Sequence, residues 1–284
     1  LLLARALHAQ RHIEEARAAY REAAALGGGA LAVLQGLLAM PEGGGDDAGA
    51  ALDQFLAADI RAESEAALLR GGLSPIRAAH LRGLPASVRR KAAQAYLKLC
   101  PWLAFAASHA VGRRNAAADG APIRIVLVGR FTEPQASSAA LTRLLDGLVA
   151  LDGVRVTLVS VGLSNQVGAV AELAGRCEQA LSVRDDTLGG VQRTIAGLGA
   201  DILIYPELAA DAFLYFLAFA RLARLQCVLG GVGGDGGLPN VDLLLRGPQS
   251  TDLDDGSPVA AAGDGVPVLD WTGLPPRMLL DELK

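Results

Sequence analysis

The sequence predicts an α/β protein in which an amino-terminal all-helical region is followed by a doubly wound parallel sheet. Two observations predict this fold class. Apolar residues recur at helical spacing up to residue 112. After a polar stretch at 113–120, short β-branched runs alternate with amphipathic segments. Strands that alternate with helices of roughly 10–15 residues are typical of parallel sheets covered by helices.

Composition and charge restrict the class of protein. The chain has 284 residues, of which 51% are hydrophobic, so it is globular and has room for one large or two modest domains. Its 34 glycines show no three-residue period, which excludes collagen. The net charge of −4 excludes a strongly basic nucleic-acid-binding protein. The longest apolar stretches are shorter than the about 20 residues of a membrane helix, so we expect no membrane partner.

Charge and histidine are distributed unevenly along the chain. Residues 1–121 carry 14 basic and 11 acidic side chains, whereas residues 122–284 carry 12 basic and 19 acidic ones. All histidines lie in the first part, and they are His8, His12, His80 and His109. The apolar setting of His109 favours a hydrogen-bonded core histidine over a ligand or a base.

The cysteines and the amino terminus indicate the compartment. Cys100, Cys177 and Cys227 are far apart without CxxC spacing, so we interpret them as small buried hydrophobes rather than a disulfide framework or a zinc site. Thiols of this kind are typical of a reducing compartment. The chain begins without Met and without a charged region that precedes a cleavage site. We therefore expect a cytoplasmic protein that is cut in mid-helix.

Residues 1–29 predict a helical hairpin that ends at a run of glycines. Small and large apolar residues alternate at helical spacing in both helices, at Leu3, Ala4, Leu7, Ala16, Tyr20 and Ala23. The alternation resembles the tetratricopeptide (TPR) repeat, in which each helix pair leaves a face for its neighbour. The hairpin is either the last repeat of an array or an unrelated amphipathic hairpin. In both cases it offers a surface for packing or for a protein partner.

Residues 30–121 predict a further helical region that glycine-rich breaks at 43–45 and 71–72 divide. The basic run at 89–91 has no interleaved aromatic residues, so we interpret it as a solvated helix face rather than a nucleic-acid site. The predicted helices are Leu31–Ala39, Ala50–Leu69, Pro75–Leu81 and Ala86–Leu99.

Residues 122–246 predict a Rossmann-like lobe. The predicted strands are Ile123–Val128, Val154–Val161, Ala180–Val183, Asp201–Tyr205, Gln226–Leu229 and Val241–Leu245, the last being the final strand. The predicted helices are Ser137–Leu151, Gln166–Cys177, Leu188–Leu198 and Phe213–Arg224. We expect the Gly-, Asp- and Pro-rich stretch that begins at residue 247 to be a connector, 247–284, toward a second lobe.

Ligands of doubly wound sheets bind at the carboxyl ends of the strands. The loops to inspect are therefore 129–135, 162–166, 206–211 and 230–239. The chain contains neither a GxGxxG fingerprint nor a Walker lysine, which argues against a dinucleotide-binding dehydrogenase and a P-loop enzyme. The densest glycine run lies in the last loop. It either brings backbone N–H groups close to a phosphate or sugar, or it is a flexible connection.

One segment of the lobe resembles a known family. Between Asp201 and Gln226 the residues Tyr215-Phe-Leu-Ala-Phe, Arg221-Leu-Ala and Gln226 resemble the O-GlcNAc transferase (SPINDLY-like) family of TPR-linked glycosyltransferases. The loop that follows is similar to the family pattern at Gly231, Gly237, Pro239, Val241 and Asp242. Residues 96–101 and His109 are similar to the helical region that precedes the family's catalytic part. The order of helical repeats, helical insert and strand-helix lobe is also similar.

This resemblance implies half of a two-lobed (GT-B) glycosyltransferase. Such an enzyme moves a sugar such as GlcNAc from a UDP-sugar to Ser or Thr of a protein acceptor, without a metal or another cofactor. The family's carboxyl-terminal lobe supplies most nucleotide-binding residues, and we expect it to lie beyond Lys284. The sequence departs from the family in two places. It has no histidine after the first strand, where Thr132–Ser138 stand, and Leu229, Gly233 and Asp235-Gly236 replace the family's Trp, Pro and Thr/Ser pair.

The residues do not identify a catalytic group. Glu133, Glu207 and Asp211 are candidate replacements for the missing base, or else a helix cap and solvated loop carboxylates. The candidate residues of the acceptor-side loop are Gly231, Asp235, Gly237 and Pro239. Three hypotheses follow: a protein O-glycosyltransferase fragment that is inactive alone, a catalytically degenerate binding or scaffold module, and a sugar-nucleotide-modifying enzyme on an unrelated lobe.

Overall fold

The computed structural model divides the chain into two compact units. The helical unit comprises Leu1–Ala104 with residues 232–239 and 257–264, and the sheet unit comprises Phe105–Gly231 with residues 240–256 and 265–284. The described residues are 1–26, 29–40, 45–73, 84–111, 121–131, 139–162, 167–184, 187–206, 208, 211–229, 237–246 and 266–270. The sheet unit begins before the predicted division at residue 122, because the backbone of Phe105 and Ala107 pairs with that of Arg221.

The described part of the helical unit consists of helices and one 3₁₀ turn. The helices are α1 (Leu2–Ala9), α2 (Ile13–Ala25), α3 (Ala30–Ala39), α4 (Gly45–Ala57), α5 (Glu65–Gly71) and α6 (Ala86–Leu99), and the turn is Pro101–Ala104. The predicted hairpin and the predicted helices 31–39 and 86–99 are confirmed. The predicted helix Pro75–Leu81 lies outside the described residues.

The prediction of one helix over Ala50–Leu69 is wrong, because the chain leaves the helix after Ala57. An extended stretch follows, in which the amide of Glu63 donates to the carbonyl of Leu99 at 2.7 Å. Ser64 then caps α5 by accepting from the amide of Ala67 at 3.2 Å. A tertiary hydrogen bond and a new cap therefore interrupt a stretch whose apolar spacing alone favours a continuous helix.

The amino-terminal hairpin buries three small residues and one large ring. Ala4, Ala16 and Ala23 are buried, and so is Tyr20. Leu3, which shares their pattern, is 64% exposed. The Tyr20 ring lies directly on Gly36 of α3, because a Cβ atom at Gly36 would lie 2.3 Å from ring atoms of Tyr20. The contact between α2 and α3 thus depends on the absence of a side chain at residue 36.

Helix α6 holds the other helices through polar side chains. The ammonium group of Lys98 donates to the carbonyls of Leu56 and Ala58 at the carboxyl end of α4, where the helix dipole favours a cation. The hydroxyl of Tyr96 donates to the carbonyl of Leu73 at 2.6 Å and accepts from its amide at 2.9 Å. Burial raises the pKa of Tyr96.

The basic run at the start of α6 corrects one prediction. Arg89 is 4% exposed and donates to the carbonyl of Leu84 at 2.8 Å. Lys91 pairs with Asp53 of α4 at 2.6 Å. The interpretation of residues 89–91 as a solvated face is therefore wrong for Arg89, while Arg90 is exposed.

The described strands of the sheet unit form one parallel sheet. They are β1 (Ile123–Gly129), β2 (Val154–Val161), β3 (Gln179–Val183), β4 (Ile202–Tyr205), β5 (Leu225–Leu229), β6 (Leu243–Arg246) and β7 (Val268–Asp270). Their order is β3-β2-β1-β4-β5-β6-β7, and every pair is parallel. The predicted doubly wound, Rossmann-like sheet is confirmed. The prediction that residues 241–245 form the last strand is wrong, because β7 pairs with β6 from within the predicted connector.

The described residues of the sheet unit also form helices. They are α7 (Ser108–Val111), α8 (Ala139–Val149), α9 (Val167–Ala174), α10 (Leu188–Leu198) and α11 (Ala212–Leu217). One apolar cluster packs α8 and α9 on the sheet face that carries Ile125, Leu127 and Ile204. Strand β1 is buried from Ile125 to Gly129, as the sequence predicts for a strand covered on both faces.

The contact between Tyr20 and Gly36 gives a stability prediction. We expect Gly36→Ala to lower the free energy of unfolding by about 1–3 kcal/mol, because the methyl group overpacks a buried ring. Chemical denaturation followed by circular dichroism measures the change. Gly49→Ala in α4 is the matched control, because its nearest neighbour would be Lys91 Nζ at an ordinary 3.6 Å. Equal stabilities of the two variants would contradict the packing described for α2 and α3.

Candidate functional site

The order of the sheet places the candidate site between β1 and β4. The chain runs from β1 outward to β2 and β3, and then returns to β4 on the other side of β1. The carboxyl ends of strands at such a reversal form the crevice where doubly wound sheets bind their ligands. The described residues at this edge follow β1, β2 and β4 directly, and they are Arg130, Phe131, Gly162, Pro206, Leu208 and Asp211.

Arg130 lies across this crevice. Its Nε atom is 2.7 Å from Oδ2 of Asp211, and its guanidinium carbon is 5.4 Å from the ring centroid of Phe213. At the end of β2, a Cβ atom on Gly162 would lie 2.8 Å from Nη1 of Arg130. Gly162 also has a φ of +92°, which favours glycine. The guanidinium group therefore extends from the end of β2 to the start of α11, with 35% of the side chain exposed.

Asp211 has two partners. Its Oδ1 atom accepts from the amide of Leu214 at 3.1 Å and caps α11, while Oδ2 faces Arg130. The geometry is that of the helix cap that the sequence left as one alternative. Its other alternative, a base for the acceptor hydroxyl, stays a prediction.

Phe131 turns the chain after β1. It has a φ of +49°, which is uncommon for a residue other than glycine, and its side chain is fully buried. Its ring lies beside Gly129, where an added Cβ would be 3.1 Å from Cε1 and Cζ. The turn exposes part of Arg130 and buries the residue that follows it.

The other predicted site residues are placed as follows. Glu133, Glu207, Gly231 and Asp235 lie outside the described residues. Gly237 is buried in the helical unit with a φ of +73°, and a Cβ there would lie 2.5 Å from the backbone of Arg89 and Arg90. Pro239 is exposed. Gly237 therefore allows two backbone segments to approach closely.

Three of the residues that carry the family resemblance, Arg221, Gln226 and Asp242, meet in one polar network. Arg221 donates to both carboxylate oxygens of Asp242, with Nη2 at 3.0 Å from Oδ1, and its Nε donates to Oδ1 of Asn240 at 3.2 Å. The amide of Gln226 donates to Oδ2 of Asp242 at 2.8 Å. Asn240 Nδ2 donates to the carbonyl of Phe219 at 2.6 Å. The network joins Arg221 and Gln226 to Asn240 and Asp242, which lie just before β6.

Gln226 is the centre of this network and is fully buried. Its Oε1 atom accepts from the amides of Leu222 and Ala223, at 2.6 and 3.3 Å. Its Nε2 atom donates to the carbonyls of Ala220 and Asn240, at 3.1 and 2.8 Å. One side-chain amide therefore satisfies four backbone groups that the protein interior would otherwise leave unpaired.

These contacts correct the predicted helix Phe213–Arg224. Helix α11 ends at Leu217, and residues 218–224 follow an irregular path that remains buried at Ala218, Phe219, Ala220, Leu222 and Ala223. The backbone of Arg221 pairs with Phe105 and Ala107 at 2.8 Å each. Such a path is possible because side chains and a neighbouring segment replace the helical hydrogen bonds.

His109 also forms hydrogen bonds with the irregular segment 218–224. Its Nε2 atom lies 3.1 Å from the carbonyl of Leu222, and its own carbonyl accepts from Nε of Arg224 at 3.2 Å. The prediction of a hydrogen-bonded core histidine is confirmed in its hydrogen bonds, although the ring is only half-buried.

Burial keeps the thiols protonated. It raises the pKa of Cys100 to about 12 and that of Cys177 to about 11. Burial, with the Asp242 carboxylate nearby, also raises the pKa of Cys227. All three cysteines are free; Cys100 and Cys227 are buried as predicted, whereas Cys177 is only half-buried. No thiolate nucleophile is available from them at neutral pH.

Burial also keeps the hydroxyl of one phenol at the edge of the sheet protonated. Burial raises the pKa of Tyr205, which lies at the carboxyl end of β4.

In the part of the chain that the structure describes, no three His, Cys, Asp or Glu side chains are grouped to hold a metal ion. No helix within the described ranges is long and apolar enough to cross a membrane.

The network predicts unequal effects for two Arg–Asp pairs. We expect Asp242→Asn to lower the free energy of unfolding by about 1–3 kcal/mol, because charge-assisted hydrogen bonds to Arg221 and Gln226 are lost in a partly buried site. Chemical denaturation measures this change in the free energy of unfolding. The control is Asp146→Asn, whose carboxylate lies 2.6 Å from Arg176 but is 54% exposed, and which we expect to change stability little. Equal losses would contradict the structural importance of the network.

Comparisons with known proteins give a likeness among solved structures. No protein-family model matches the chain, and no curated protein matches it. Among solved structures, the chain is similar to a point mutant of the O-GlcNAc transferase of Thermobaculum terrenum, with 16% sequence identity and a TM-score of 0.45. The likeness covers 81% of this chain and 43% of that chain. The chain therefore spans less than half the length of that protein.

Proposed function

We propose that the chain is the amino-terminal lobe, with its preceding helices, of a GT-B protein O-glycosyltransferase. The complete enzyme would move a sugar such as GlcNAc from a UDP-sugar to Ser or Thr of a protein acceptor in the cytoplasm. The observation that carries the proposal is the network of Arg221, Gln226 and Asp242. These three residues agree with the family pattern, and in the structure the carboxylate of Asp242 accepts from both Arg221 and the amide of Gln226.

The contact matters because it gives the resemblance a physical reason. Residues that matched by chance would be scattered over the fold. Three of the matching residues, Arg221, Gln226 and Asp242, instead meet where they stabilise one irregular segment next to β5 and β6. The parallel sheet supplies the crevice that such a lobe requires at its carboxyl edge.

The chemistry of the crevice supports a lobe that is inactive by itself. Sugar transfer needs a group that accepts the proton of the acceptor hydroxyl and a positive or dipolar group for the leaving diphosphate. Arg130 is a cation at the right edge of the sheet, but it is paired with Asp211. The sequence from 122 to 284 has no histidine. We propose that a nucleotide-sugar is the co-substrate, that no metal is used, and that residues 1–284 alone do not turn over.

A second candidate function is a catalytically degenerate scaffold. The departures at Leu229, Gly233 and Asp235 favour it, together with the missing histidine, and the TPR-like hairpin offers a surface for a protein partner. In this alternative the lobe keeps its fold, because the network around Gln226 is intact, and has lost the chemistry.

Transfer assays separate the two candidates. We expect the full-length gene product to transfer sugar from UDP-GlcNAc to a protein acceptor, detected by intact-mass spectrometry. We expect residues 1–284 to transfer none, because they contain neither the family's histidine after the first strand nor the proposed nucleotide-binding lobe. Calorimetry should detect weak UDP binding to 1–284 or none. Transfer by 1–284 alone would refute the proposed inactivity. A full-length protein that folds, binds partners and transfers no sugar would favour the scaffold.

A further inference from the structure

Three small residues lie side by side at the carboxyl edge of the sheet. In the strand register Gly129 of β1 is opposite Ser160 of β2, and Ser160 is opposite Ser182 of β3. Residues opposite one another on parallel strands share a face of the sheet. We name Gly129, Ser160 and Ser182 the small-residue row. The row crosses three neighbouring strands. At such positions in the core of a sheet the side chains are usually large.

The middle member of the row is a buried hydroxyl without a partner. Ser160 is 3% exposed, and its Oγ atom has no hydrogen-bond partner among the described residues. A buried polar atom of this kind is unfavourable for folding, and alanine at the same place would avoid the loss. The fold gives no reason for a serine here.

Phe131 closes the row. Its ring belongs to the apolar cluster of Leu127 and Leu158, which precede Gly129 and Ser160 on the same face. The ring packs against Gly129, since a Cβ on that residue would lie only 3.1 Å from Cε1 and Cζ of the ring. Its left-handed backbone, with a φ of +49°, is also unfavourable for a residue with a large side chain.

Two unfavourable features thus meet at the edge where such sheets bind ligands. An unpaired buried hydroxyl and a strained backbone are features that point to a function, because both lower the stability of the fold. Both features become favourable if the phenyl ring moves out and a ligand with polar groups replaces it.

We propose that the small-residue row is a subsite for a monosaccharide ring, which Phe131 fills when no sugar is bound and where Ser160 binds a sugar hydroxyl. A pyranose is a six-membered ring, as the phenyl group is, and its rim carries hydroxyls that donate and accept as a serine hydroxyl does. Ser182, which is exposed, supplies a second hydroxyl at the outer end of the row. The inference rests on the proposed function, since it places a sugar on this lobe.

The test uses free GlcNAc as the probe and the purified chain 1–284, with binding read by ligand-observed NMR. We expect Ser160→Ala to weaken binding about tenfold, because one hydrogen bond is lost. The same variant should keep or raise the melting temperature, because it removes an unpaired polar atom. Phe131→Gly should strengthen binding, since it removes the ring that the sugar must displace and suits the backbone conformation.

The control is Thr194→Ala, which removes a hydroxyl that is paired with the carbonyl of Gly190 at 3.1 Å. We expect it to lower the melting temperature and leave sugar binding unchanged. Absence of GlcNAc binding to both the parent chain and Phe131→Gly would overturn the inference. Should Phe131→Gly not fold, the parent chain and Ser160→Ala still decide it. Two results for Ser160→Ala would also overturn the inference. One is GlcNAc affinity equal to that of the parent chain, and the other is a melting temperature lowered as in Thr194→Ala.

Failure of this inference and failure of the proposed function can be told apart. If the full-length protein transfers sugar while 1–284 binds no GlcNAc, only the subsite is wrong. If 1–284 binds GlcNAc through Ser160 while the full-length protein transfers none, the subsite stands and the proposed transferase activity is wrong.

Discussion

The sheet unit depends on the side-chain amide of Gln226. Between α11 and β5 the chain leaves the helix and runs through the interior. The backbone of Arg221 pairs there with Phe105 and Ala107, and other backbone groups of the segment need side-chain partners. Gln226 serves two amides and two carbonyls at once. An unpaired backbone group in the interior costs about 1–3 kcal/mol. Loss of this one amide would therefore outweigh most single apolar contacts of the same unit.

The charged pair beside Gln226 extends the same constraint to the next strand. Asp242 is the residue before β6, and it binds both Arg221 and the amide of Gln226. The start of β6 is thereby fixed to the end of the irregular segment, and the parallel pairing of β5 with β6 begins one residue later, at Leu243. Asn240 adds hydrogen bonds with Arg221 and Phe219. Sheet register and buried loop are thus set together.

The sequence predicted the periodic elements and missed the aperiodic ones. Strand β1 and helix α10 follow from β-branched runs and helical spacing, which depend on local residues alone. The end of α11 does not, because the apolar spacing of Phe216, Phe219 and Ala220 is helical and only the distant partners Gln226 and Asn240 make another path stable. Strand β7 is three residues long and is stable only beside β6.

The candidate site shows the same limit. Asp211 was predicted from its place after β4. Arg130 was predicted only as part of the loop 129–135, because no local pattern of the sequence pairs it with Asp211. The row of Gly129, Ser160 and Ser182 depends on strand register, which no local pattern of the sequence contains. The one local indication in the sequence was Ser160, a short polar residue inside a strand of β-branched residues. The left-handed backbone of Phe131 could not be predicted from a residue type that usually avoids it.

Amide hydrogen exchange tests the central claim most directly. In the parent chain the amides of Leu222 and Ala223 should be protected, because they donate to Gln226. In Gln226→Met we expect them to exchange at least about tenfold faster, since tenfold corresponds to roughly 1.4 kcal/mol. The control Gln192→Met replaces a buried amide whose Nε2 has no partner among the described residues, and it should leave the exchange of both amides unchanged. Equal protection of Leu222 and Ala223 in the parent and in Gln226→Met would contradict the claim.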